Sequence, residues 1–382
     1  MSRNISKKPV LAIISDTSMY MDIGGNIYLF EPVLREVKYF SHLFSKINWL
    51  GYCHHEPIPS NAKKDIPFNL ELFIAKPSGG KTYVKKIQTI LFIPLYMYKI
   101  IKIIRKSDII HTRGPSIPAL LTIIISFFYR NKKYWHKYAG TWQSQTKAIS
   151  YIFQRWLLLK NIPGIAIVSQ RNNTDPKHII SWLNPCLSEE EIKTHKKYGI
   201  RKNFNDKKIF CFVGRLENSK GFPALLDAFS NLDEINWIAK LHCVGETNEN
   251  KYIEKLNYNG NISIQYHGVL DRKELNKIYE DSHFIILPSK SEGFPKVLVE
   301  ASSFGCIPII PSIPAIISNI NEQKKNGIIL EDINPQGIIR AIENLSQMRV
   351  QLSEYSKNAM QEVEKYSYEK YNHRILNEII QN

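Results

Sequence analysis

Short apolar runs alternate with longer helical patterns along nearly the whole chain, and this alternation constrains the fold more than any other feature. Continuous runs of Val, Ile, Leu and Phe are typical of strands that are buried on both faces of a parallel sheet. The predicted strands are Pro9–Ser15, Ile47–Gly51, Leu70–Ala75, Asp108–Thr112, Lys133–Tyr138 and Gly164–Ser169, then Ile209–Val213, Trp237–Val244, Ile262–His267, Phe284–Leu287 and Ile307–Ile310. The sequence therefore predicts an α/β protein with two successive strand–helix series.

A polar, charge-dense segment from Asn184 to Lys207 separates the two series. A chain of 382 residues also exceeds what a single hydrophobic core usually supports. We therefore expect two Rossmann-like domains whose parallel sheets face each other across a cleft. The predicted domains cover residues 1–190 and residues 191–365. Residues 366–382 are expected to form a helix that packs back on the first domain.

Positive charge is concentrated in one part of the chain. The formal net charge is +16, and residues 76–171 hold 17 basic residues and a single acid, Asp108. Residues 81–106 mix Lys and Arg with Ile, Leu and aromatic residues, a composition that can lie on an anionic membrane. The alternative is a solvated basic helix that packs on the sheet. No nucleic-acid-binding motif is present, so nucleic acid is not expected as a partner.

The five cysteines are widely spaced and include no C-x-x-C pair, which favours buried free thiols in a reducing compartment. No secretory signal is visible at the N-terminus. No segment is expected to reach the roughly 20 apolar residues of a spanning helix. The nearest candidates, Ile90–Tyr98 and Ala119–Tyr129, are short, and Pro94 interrupts the first. These features predict a cytoplasmic protein, with a peripheral position at the inner face of the cell membrane as an alternative.

The strongest chemical signal is the segment Ser291–Ala301, which follows the apolar run FIILPS. Its order of strand, Gly/Pro turn and helix would present free backbone amides at a helix N-terminus, where phosphate and sugar oxygens bind. Glu292 lies before the helix and Glu300 lies more than one turn along it, so both could face an elongated ligand. On residue types alone, the two acids could equally be a helix-dipole partner and an exposed glutamate.

Two other loops follow predicted strands. In the first, Gly214 permits close backbone approach, and Arg215 and Lys220 place two cations over the carboxyl end of a strand, where ligands of open α/β sheets bind. In the second, Gly24 and Gly25 follow the first strand and precede a predicted helix, so their amides could meet a phosphate or a sugar. A solvated loop and an ordinary turn are the alternatives.

The segments GRLENSKGF and YHGVLDRKELNKIYEDSHFIILPSKSEGFPKVLVEASSFGCIPII resemble the donor domain of the retaining family 4 (group 1) glycosyltransferases, which have the GT-B fold. The resemblance covers roughly residues 205–330 well and the N-terminal half only through topology and the Gly-Gly loop. It implies that the domain of residues 1–190 binds the acceptor and that the domain of residues 191–365 binds the nucleotide-sugar donor. It implies that Arg215 and Lys220 bind the nucleotide diphosphate, that Glu292 contacts sugar hydroxyls and that Glu300 binds the ribose. It also places Gly293, Phe294, Pro295 and Lys296 at the sugar and phosphate, Gly268 and Val269 at the base, and Gly24 and Gly25 over the donor.

One feature departs from the family pattern, which usually includes a histidine near the sugar at the end of a strand in the first domain. Aligning on Gly140 puts Ala139 at that position. His136 and His111, which lie at or near strand ends, are the candidates to replace it.

The resemblance implies a retaining glycosyltransferase that uses a nucleotide sugar without a bound cofactor or metal, and the chain contains no D-x-D pair. The expected acceptor is a saccharide or a lipid-linked molecule in the biosynthesis of cell-surface polysaccharide or lipopolysaccharide. Two alternatives are a GT-B relative that hydrolyses or epimerises a nucleotide sugar and a non-catalytic nucleotide-sugar binder at the membrane. The sequence leaves open the sugar, the nucleotide, the linkage and the oligomeric state.

Overall fold

The computed structural model describes residues 8–55, 57–59, 61–80, 82–140, 142, 148–232, 236–247, 252, 262–292, 294–313, 317–348 and 351–381. The chain divides into two compact units. Unit 1 comprises Met1–Leu183 and Tyr368–Asn382, and unit 2 comprises Asn184–Ser367.

The division falls at residues 183 and 367 rather than at the predicted residues 190 and 365, and local contacts explain the shift. Leu187 forms a β-bridge with Ser367, and the amide of Cys186 donates to the Tyr366 carbonyl at 2.9 Å, so both ends of this segment belong to unit 2. The ring of Tyr368 stacks on Tyr39 of unit 1 at 3.9 Å between centroids. The last residues of the chain are therefore part of unit 1.

Unit 1 is built around a mixed sheet. Its strands are β1 (Val10–Met21), β2 (Ile27–Phe30), β3 (Lys46–His54), β4 (Ala62–Lys63), β5 (Leu70–Ala75), β6 (Ile109–Gly114), β7 (Lys133–Tyr138), β8 (Ile165–Val168) and β9 (Ile179–Ser181). Its helices are α1 (Glu31–Ser41), α2 (Tyr83–Arg105), α3 (Ile117–Ser126) and α4 (Ile149–Leu158), with the C-terminal α-helix Tyr368–Arg374 running into a π-helical turn at Ile375–Ile380. β1 lies between β3 and β6, and the parallel pairing continues through β7, β8 and β9.

The residues after the first strand differ from the prediction of a single helix. Ile27–Phe30 forms β2, which pairs antiparallel with Met19–Met21 of β1, and α1 begins only at Glu31. The paired glycines therefore join two strands of a hairpin instead of leading into a helix. The backbone hydrogen bonds between the two strands satisfy the amides that a helix would otherwise use, which explains the difference.

Unit 2 contains a wholly parallel sheet. Its strands are β10 (Lys208–Val213), β11 (Ile238–Val244), β12 (Ser263–Tyr266), β13 (Phe284–Ile286), β14 (Ile307–Pro311) and β15 (Ile328–Leu330), in the order β12-β11-β10-β13-β14-β15. Its α-helices are α5 (Glu189–Gly199), α6 (Phe222–Ser230), α7 (Arg272–Asp281), α8 (Lys296–Ser303), α9 (Pro335–Gln347) and α10 (Leu352–Glu362), with 3-10 turns at Asn218–Lys220 and Val363–Tyr366. Because all these strands run in one direction, their carboxyl ends lie along one edge of the sheet.

Helix α2 corrects the expectation that no segment is long enough to span a membrane. Lys86–Arg105 forms one continuous helical stretch, through Pro94, that is long and apolar enough by length and composition, and 22% of its apolar window is buried. Its inner face, with Tyr96, Ile100 and Ile104, packs into a core cluster of unit 1. A helix that packs on the sheet along one face is better explained as lying against unit 1 than as crossing a bilayer.

All five cysteines are free and buried, as predicted.

Candidate active site

The basic loop that was predicted from the sequence follows β10, and two glycines shape it. The amide of Gly214 donates to the Val244 carbonyl at 2.9 Å as the chain leaves the strand. Gly221 ends the loop at φ 69°, and a Cβ there would lie 2.0 Å from the Pro288 carbonyl oxygen. Since that distance is a severe clash, glycine is required for the approach. The basic loop therefore packs directly on the chain that follows β13.

Lys220 and Glu292 connect these two loops. The Lys220 Nζ lies 2.6 Å from Glu292 Oε1, and the two side chains are 23% and 10% exposed. Two hydrogen bonds from Lys290 reinforce the contact, one from its amide to the Ser219 carbonyl at 3.1 Å and one from its Nζ to Asn218 Oδ1 at 3.0 Å. The structure thus brings Lys220, which was predicted to bind the diphosphate, into direct contact with Glu292, which was predicted to bind the sugar.

Arg215 is the more accessible cation of the basic loop. Its side chain is 67% exposed, and its Nη2 lies 3.2 Å from Glu217 Oε1 on the same loop. An exposed ion pair of this kind contributes little to stability, so a phosphate can replace the carboxylate at small cost. Arg215 is therefore more accessible to an anionic ligand than the half-buried Lys220.

The N-terminus of α8 lies directly after Glu292. Pro295 occupies the N-cap position, and no described side chain caps the helix. The first helical amides, beginning at Lys296, therefore have no intrahelical acceptor and favour a negative ligand. Phe294 packs against Tyr366 with ring centroids 5.2 Å apart, which holds the turn in place. Gly293 lies outside the described residues.

Glu300 lies further along α8 and has a different partner. Its side chain is 16% exposed, and Oε1 lies 3.6 Å from Nη1 of Arg272 at the start of α7. The Nε of Arg272 also lies 3.6 Å from Glu191 of α5. Arg272 therefore links three helices through Glu191 and Glu300, whereas Glu292 pairs with the basic loop.

Three glycine turns lie side by side at the carboxyl edge of the unit 2 sheet. The amide of Gly245 donates to the Gly268 carbonyl at 2.7 Å, and a Cβ at Gly245 would lie 1.9 Å from the Gly214 carbonyl oxygen. Gly268 has φ 67°, and Val269 after it is 60% exposed. Because glycine has no side chain, these turns leave accessible backbone beside the basic loop, and a flat ring could lie close to it.

A pair of histidines below these turns was missed in the sequence analysis. His242 Nδ1 lies 2.8 Å from His267 Nε2. Burial, with a smaller contribution from the neighbouring His267, lowers the pKa of His242 to about 4. The pair therefore stays neutral near pH 7 and supports the turn at Gly268. The sequence Tyr266-His267-Gly268, at the turn predicted to contact the base, was the signal that could have indicated this histidine pair.

The Gly24–Gly25 loop of unit 1 is a closed and exposed hairpin turn. The amide of Asn26 donates to Asp22 Oδ1 at 2.8 Å, and its side-chain nitrogen donates to Oδ2 at 2.9 Å. These hydrogen bonds from Asn26 lower the pKa of Asp22. Gly25 has φ 78°, and nothing lies within 4 Å of a Cβ built there. The conformation is compatible with close approach of a ligand to the backbone.

His111 and His136 are buried within the sheet of unit 1. His111 is 0% exposed, stacks on Trp135 at 3.8 Å and places Nδ1 3.1 Å from the Trp135 carbonyl. His136 is 1% exposed and places Nδ1 3.0 Å from Thr112 Oγ1. Burial lowers the pKa of His136 to about 3 and that of His111 well below its usual value. These positions argue against the direct sugar contact that the sequence analysis assigned to them.

A buried ionic cluster at the carboxyl ends of β6 and β7 was also missed. Glu36 of α1 lies 2.8 Å from Arg113 Nη1 and 2.8 Å from Lys137 Nζ, and Tyr371 of the C-terminal helix donates to it at 3.1 Å. Glu36 is 2% exposed and Lys137 is 5% exposed. Arg113 and Lys137, two of the 17 basic residues of the segment 76–171, are therefore internal. A pattern of charge along the sequence could not distinguish them from surface cations.

An open groove on unit 1 has a volume of about 620 Å³. The side chains that line it include Arg35, Lys38, Tyr39, Lys63 and Lys64, together with two acids. Among the described residues, no group of three or more His, Cys, Asp or Glu side chains is placed to hold a metal ion.

Comparison with known proteins follows the same division into units. The model of the family "Glycosyl transferases group 1" matches residues 194–362. The uncharacterized glycosyltransferase MJ1607 of Methanocaldococcus jannaschii is 27% identical over 50% of this chain and 50% of its own length. The chain spans about half the length of the first curated relatives that it matches.

Two solved structures cover nearly all of this chain. Anabaena Alr3699/HepE in complex with UDP-glucose has a TM-score of 0.64 at 14% identity, covering 98% of this chain and 100% of that one. WaaG, a glycosyltransferase involved in lipopolysaccharide biosynthesis, has a TM-score of 0.61 at 12% identity, covering 96% and 99%. At such identities the likeness shows the fold alone. Residues 194–362, the greater part of unit 2, therefore match the family of group 1 glycosyl transferases, within a chain that has the α/β GT-B fold.

Proposed function

We propose that this protein is a retaining glycosyltransferase that moves a sugar from a nucleotide-diphosphate donor to a saccharide or lipid-linked acceptor, without a bound metal. The observation that carries the proposal is the 2.6 Å contact between Lys220 and Glu292, beside the side-chain-uncapped N-terminus of α8. A cation, a carboxylate and free amides are then adjacent, which suits a ligand that carries both a diphosphate and sugar hydroxyls.

The chemistry follows from where charge develops. Breaking the bond between the anomeric carbon and the diphosphate leaves negative charge on the diphosphate. Arg215, Lys220 and the first amides of α8 are the groups that would stabilise it, and being fixed in the fold they need little reorganisation. Glu292 would hold sugar hydroxyls while its contact with Lys220 keeps the ammonium group oriented. Retention is assigned to attack on the face from which the diphosphate leaves, with the diphosphate accepting the acceptor proton.

The remaining donor contacts are assigned by position on unit 2. Glu300 would hold the ribose, which requires it to exchange or share the 3.6 Å ion pair with Arg272. The turn at Gly268 and Val269 would lie against the base. In unit 1, the backbone of Gly24 and Gly25 would contact the donor. HepE was solved with UDP-glucose, which makes uridine diphosphate sugars the first donors to test.

The acceptor is proposed to be a component of cell-surface polysaccharide or lipopolysaccharide. WaaG, with the same fold, takes part in lipopolysaccharide biosynthesis. The groove on unit 1 supports an anionic acceptor, since Arg35, Lys63 and Lys64 line it and Tyr39 offers an aromatic surface. The exposed lysines of α2 suit an anionic membrane, so a cytoplasmic protein bound at the inner face of the cell membrane is the proposed location.

A thermal-shift screen tests donor binding. Uridine, guanosine and adenosine diphosphate sugars are added to the wild type, to Arg215→Ala and to Arg340→Ala, an exposed arginine of unit 2 that pairs with Asp332 at 2.7 Å. We expect one class of donor to raise the melting temperature of the wild type and of Arg340→Ala but not of Arg215→Ala. The absence of any stabilising donor, or equal shifts in both variants, would contradict the proposal.

Turnover assays separate the alternatives. A transferase consumes donor only when an acceptor is present, a hydrolase or epimerase consumes it alone, and a binder consumes none. NMR of the product reports the anomeric configuration, and inversion would disprove retention. We expect transferase activity to persist after treatment with EDTA. A loss of activity that added Mg²⁺ or Mn²⁺ restores would show that the enzyme requires a metal ion.

A further inference from the structure

Helix α4 has apolar side chains on its outer face as well as on its inner face. Leu157 and Leu158 point into a core cluster of unit 1. On the other side, Ile149, Ile152, Phe153 and Trp156 are 83%, 44%, 43% and 49% exposed. Their spacing of i, i+3, i+4 and i+7 places them on one stripe of the helix. A helix of a globular unit normally carries polar residues on that side, so the stripe requires an explanation.

Exposed apolar side chains also occur on the neighbouring helices of unit 1. Helix α3 packs against both α2 and α4. Just beyond the end of α3, Phe128 is 81% exposed. On α2 the exposed apolar side chains include Val84, Ile87, Ile90, Leu91, Leu95 and Tyr98. We call the stripe of α4, Phe128 and these side chains of α2 the apolar face.

Cations accompany the apolar face. The Nζ of Lys160 lies 4.9 Å above the ring of Trp156, and Trp156 stacks on Phe153 at 5.6 Å. Lys102 and Arg105 of α2 are exposed, as is Arg130 two residues after Phe128. Between residues 76 and 171 the sequence has a single acid. Whatever covers this face must therefore be apolar at its centre and negatively charged around it.

We infer that the outer face of α4, with Phe128 and α2, docks on an anionic lipid bilayer, and that Trp156 and Phe153 enter the headgroup layer. Aromatic rings settle at that depth, and basic side chains beside them bind anionic headgroups. A second copy of this chain fits less well, because it would bring two surfaces of the same positive sign together. The inference deepens the proposed function by naming the surface through which the protein would reach a membrane acceptor.

Vesicle co-sedimentation tests the inference. The purified chain is mixed with vesicles of phosphatidylcholine containing about 30% phosphatidylglycerol, or with phosphatidylcholine alone. We expect binding to the anionic vesicles only, weakened by salt because exposed charges are screened. Phe153→Ser with Trp156→Ser is expected to reduce binding at least tenfold. Ile200→Ser is the matched control, since Ile200 is 76% exposed on unit 2 and its removal should leave binding unchanged.

A second measurement keeps the test independent of folding defects. Trp49, Trp135, Trp142 and Trp182 are buried, and Trp237 packs against the core of unit 2, whereas the apolar face is on unit 1. Trp156 is therefore the tryptophan whose emission should shift to the blue on vesicle binding. Failure of the wild type to bind anionic vesicles, or equal binding by the double variant, would overturn the inference. A concentration-dependent dimer that the double variant loses would identify a second copy as the occupant and overturn it too. The thermal-shift screen of donors is run without lipid. The absence of a stabilising donor in that screen would therefore count against the proposed function and not against membrane docking.

Discussion

The two units place cations at the carboxyl ends of parallel strands in opposite ways. In unit 1, Arg113 and Lys137 lie near the ends of neighbouring strands and both pair with the buried carboxylate of Glu36. In unit 2, Arg215 follows β10 with a side chain that is 67% exposed and pairs only across the loop with Glu217. The same residue types at similar sites in a sheet therefore hold one unit together and remain available to a ligand in the other.

The pKa values within the unit 1 cluster reflect its burial and its ion pairs. Burial opposes the charge of Arg113, but the adjacent Glu36 outweighs burial and raises the pKa of Arg113. Burial, and then the charge of Glu36, raise the pKa of Tyr371 well above its usual value, so its hydroxyl stays protonated and donates to the carboxylate. The cations of this cluster are buried as well as paired, so they are not accessible to a substrate anion. Comparing the partners of a cation is thus more informative than locating it at a strand end.

The largest expected effect is on unit 1. Glu36→Gln removes the carboxylate that pairs with two buried cations, which should lower the free energy of unfolding by about 3–5 kcal/mol. The measurement is urea unfolding followed by circular dichroism. Glu71→Gln is the matched control, because the Lys46–Glu71 pair is about half exposed and should contribute under about 1 kcal/mol. Equal effects of the two variants would break the comparison.

The second prediction concerns unit 2. Lys220→Ala should lower kcat/KM for the donor by about 10²–10³-fold, because it removes a group that stabilises the leaving diphosphate. Steady-state kinetics with the donor from the thermal-shift screen provide the test. Lys325→Ala removes an exposed lysine that pairs with Glu354 at 3.2 Å and should leave kcat/KM unchanged. A large loss of stability without a kinetic effect would show that Lys220 is structural, like Lys137.

The third prediction concerns pH. The unfolded chain protonates its histidines near pH 6.5, whereas burial keeps His136 neutral down to about pH 3 and His283 down to about pH 4. The unfolded state therefore binds more protons in this window, and stability is lost as the pH falls below about 6.5. The expected slope is at most about 1.4 kcal/mol per pH unit for each histidine.

Urea unfolding at several pH values from 7.5 to 5 measures this slope. His136→Gln should reduce the slope of the unfolding free energy against pH by about the contribution of one histidine. His42→Gln, which changes an exposed histidine, should not. A slope that His136→Gln leaves intact would show that His136 is accessible to protons in the folded state, and would reopen its role near the substrate.

The smallest effect is expected at the exposed pair. Glu217→Gln should change the free energy of unfolding by about 0–1 kcal/mol, since its partner Arg215 is mostly in solvent. Donor affinity should be retained or slightly increased, because Arg215 no longer has a competing carboxylate. Isothermal titration with the donor measures this. A marked loss of affinity would mean that Glu217 orients Arg215 as firmly as Glu36 orients Arg113.

Much of the fold follows from local patterns. Helix α2 is observed at Tyr83–Arg105, within residues 81–106, for which the mixed basic and apolar composition indicated a segment on a membrane or a basic helix on the sheet. The hairpin β1–β2 was not predicted, because Ile27–Phe30 reads equally well as the first turn of a helix and only pairing with Met19–Met21 decides between them. Short apolar runs are ambiguous in this way whenever the partner strand is unknown.

Some features of the candidate site could be predicted from the sequence and others could not. The types and order of Arg215, Lys220, Glu292 and Glu300 were recognisable because strand, glycine turn and helix follow one another along the chain. The partners of Glu300 and Lys220 were not, since Arg272 and Glu292 meet them only after helices and loops pack. The burial of His111 and His136 could not be predicted for the same reason, as a sequence shows a strand end but not the depth of a side chain.

The sequence by itself determined the alternation of strands and helices, the glycines at the turns and the presence of a basic loop before an acidic one, because these depend on neighbours along the chain. Only the tertiary structure decided which charges are buried, which acid pairs with which base and which side of α4 is exposed. Burial and ion pairing depend on residues far apart in sequence, such as Glu36 and Tyr371, and their energies arise only when folding removes water from between them.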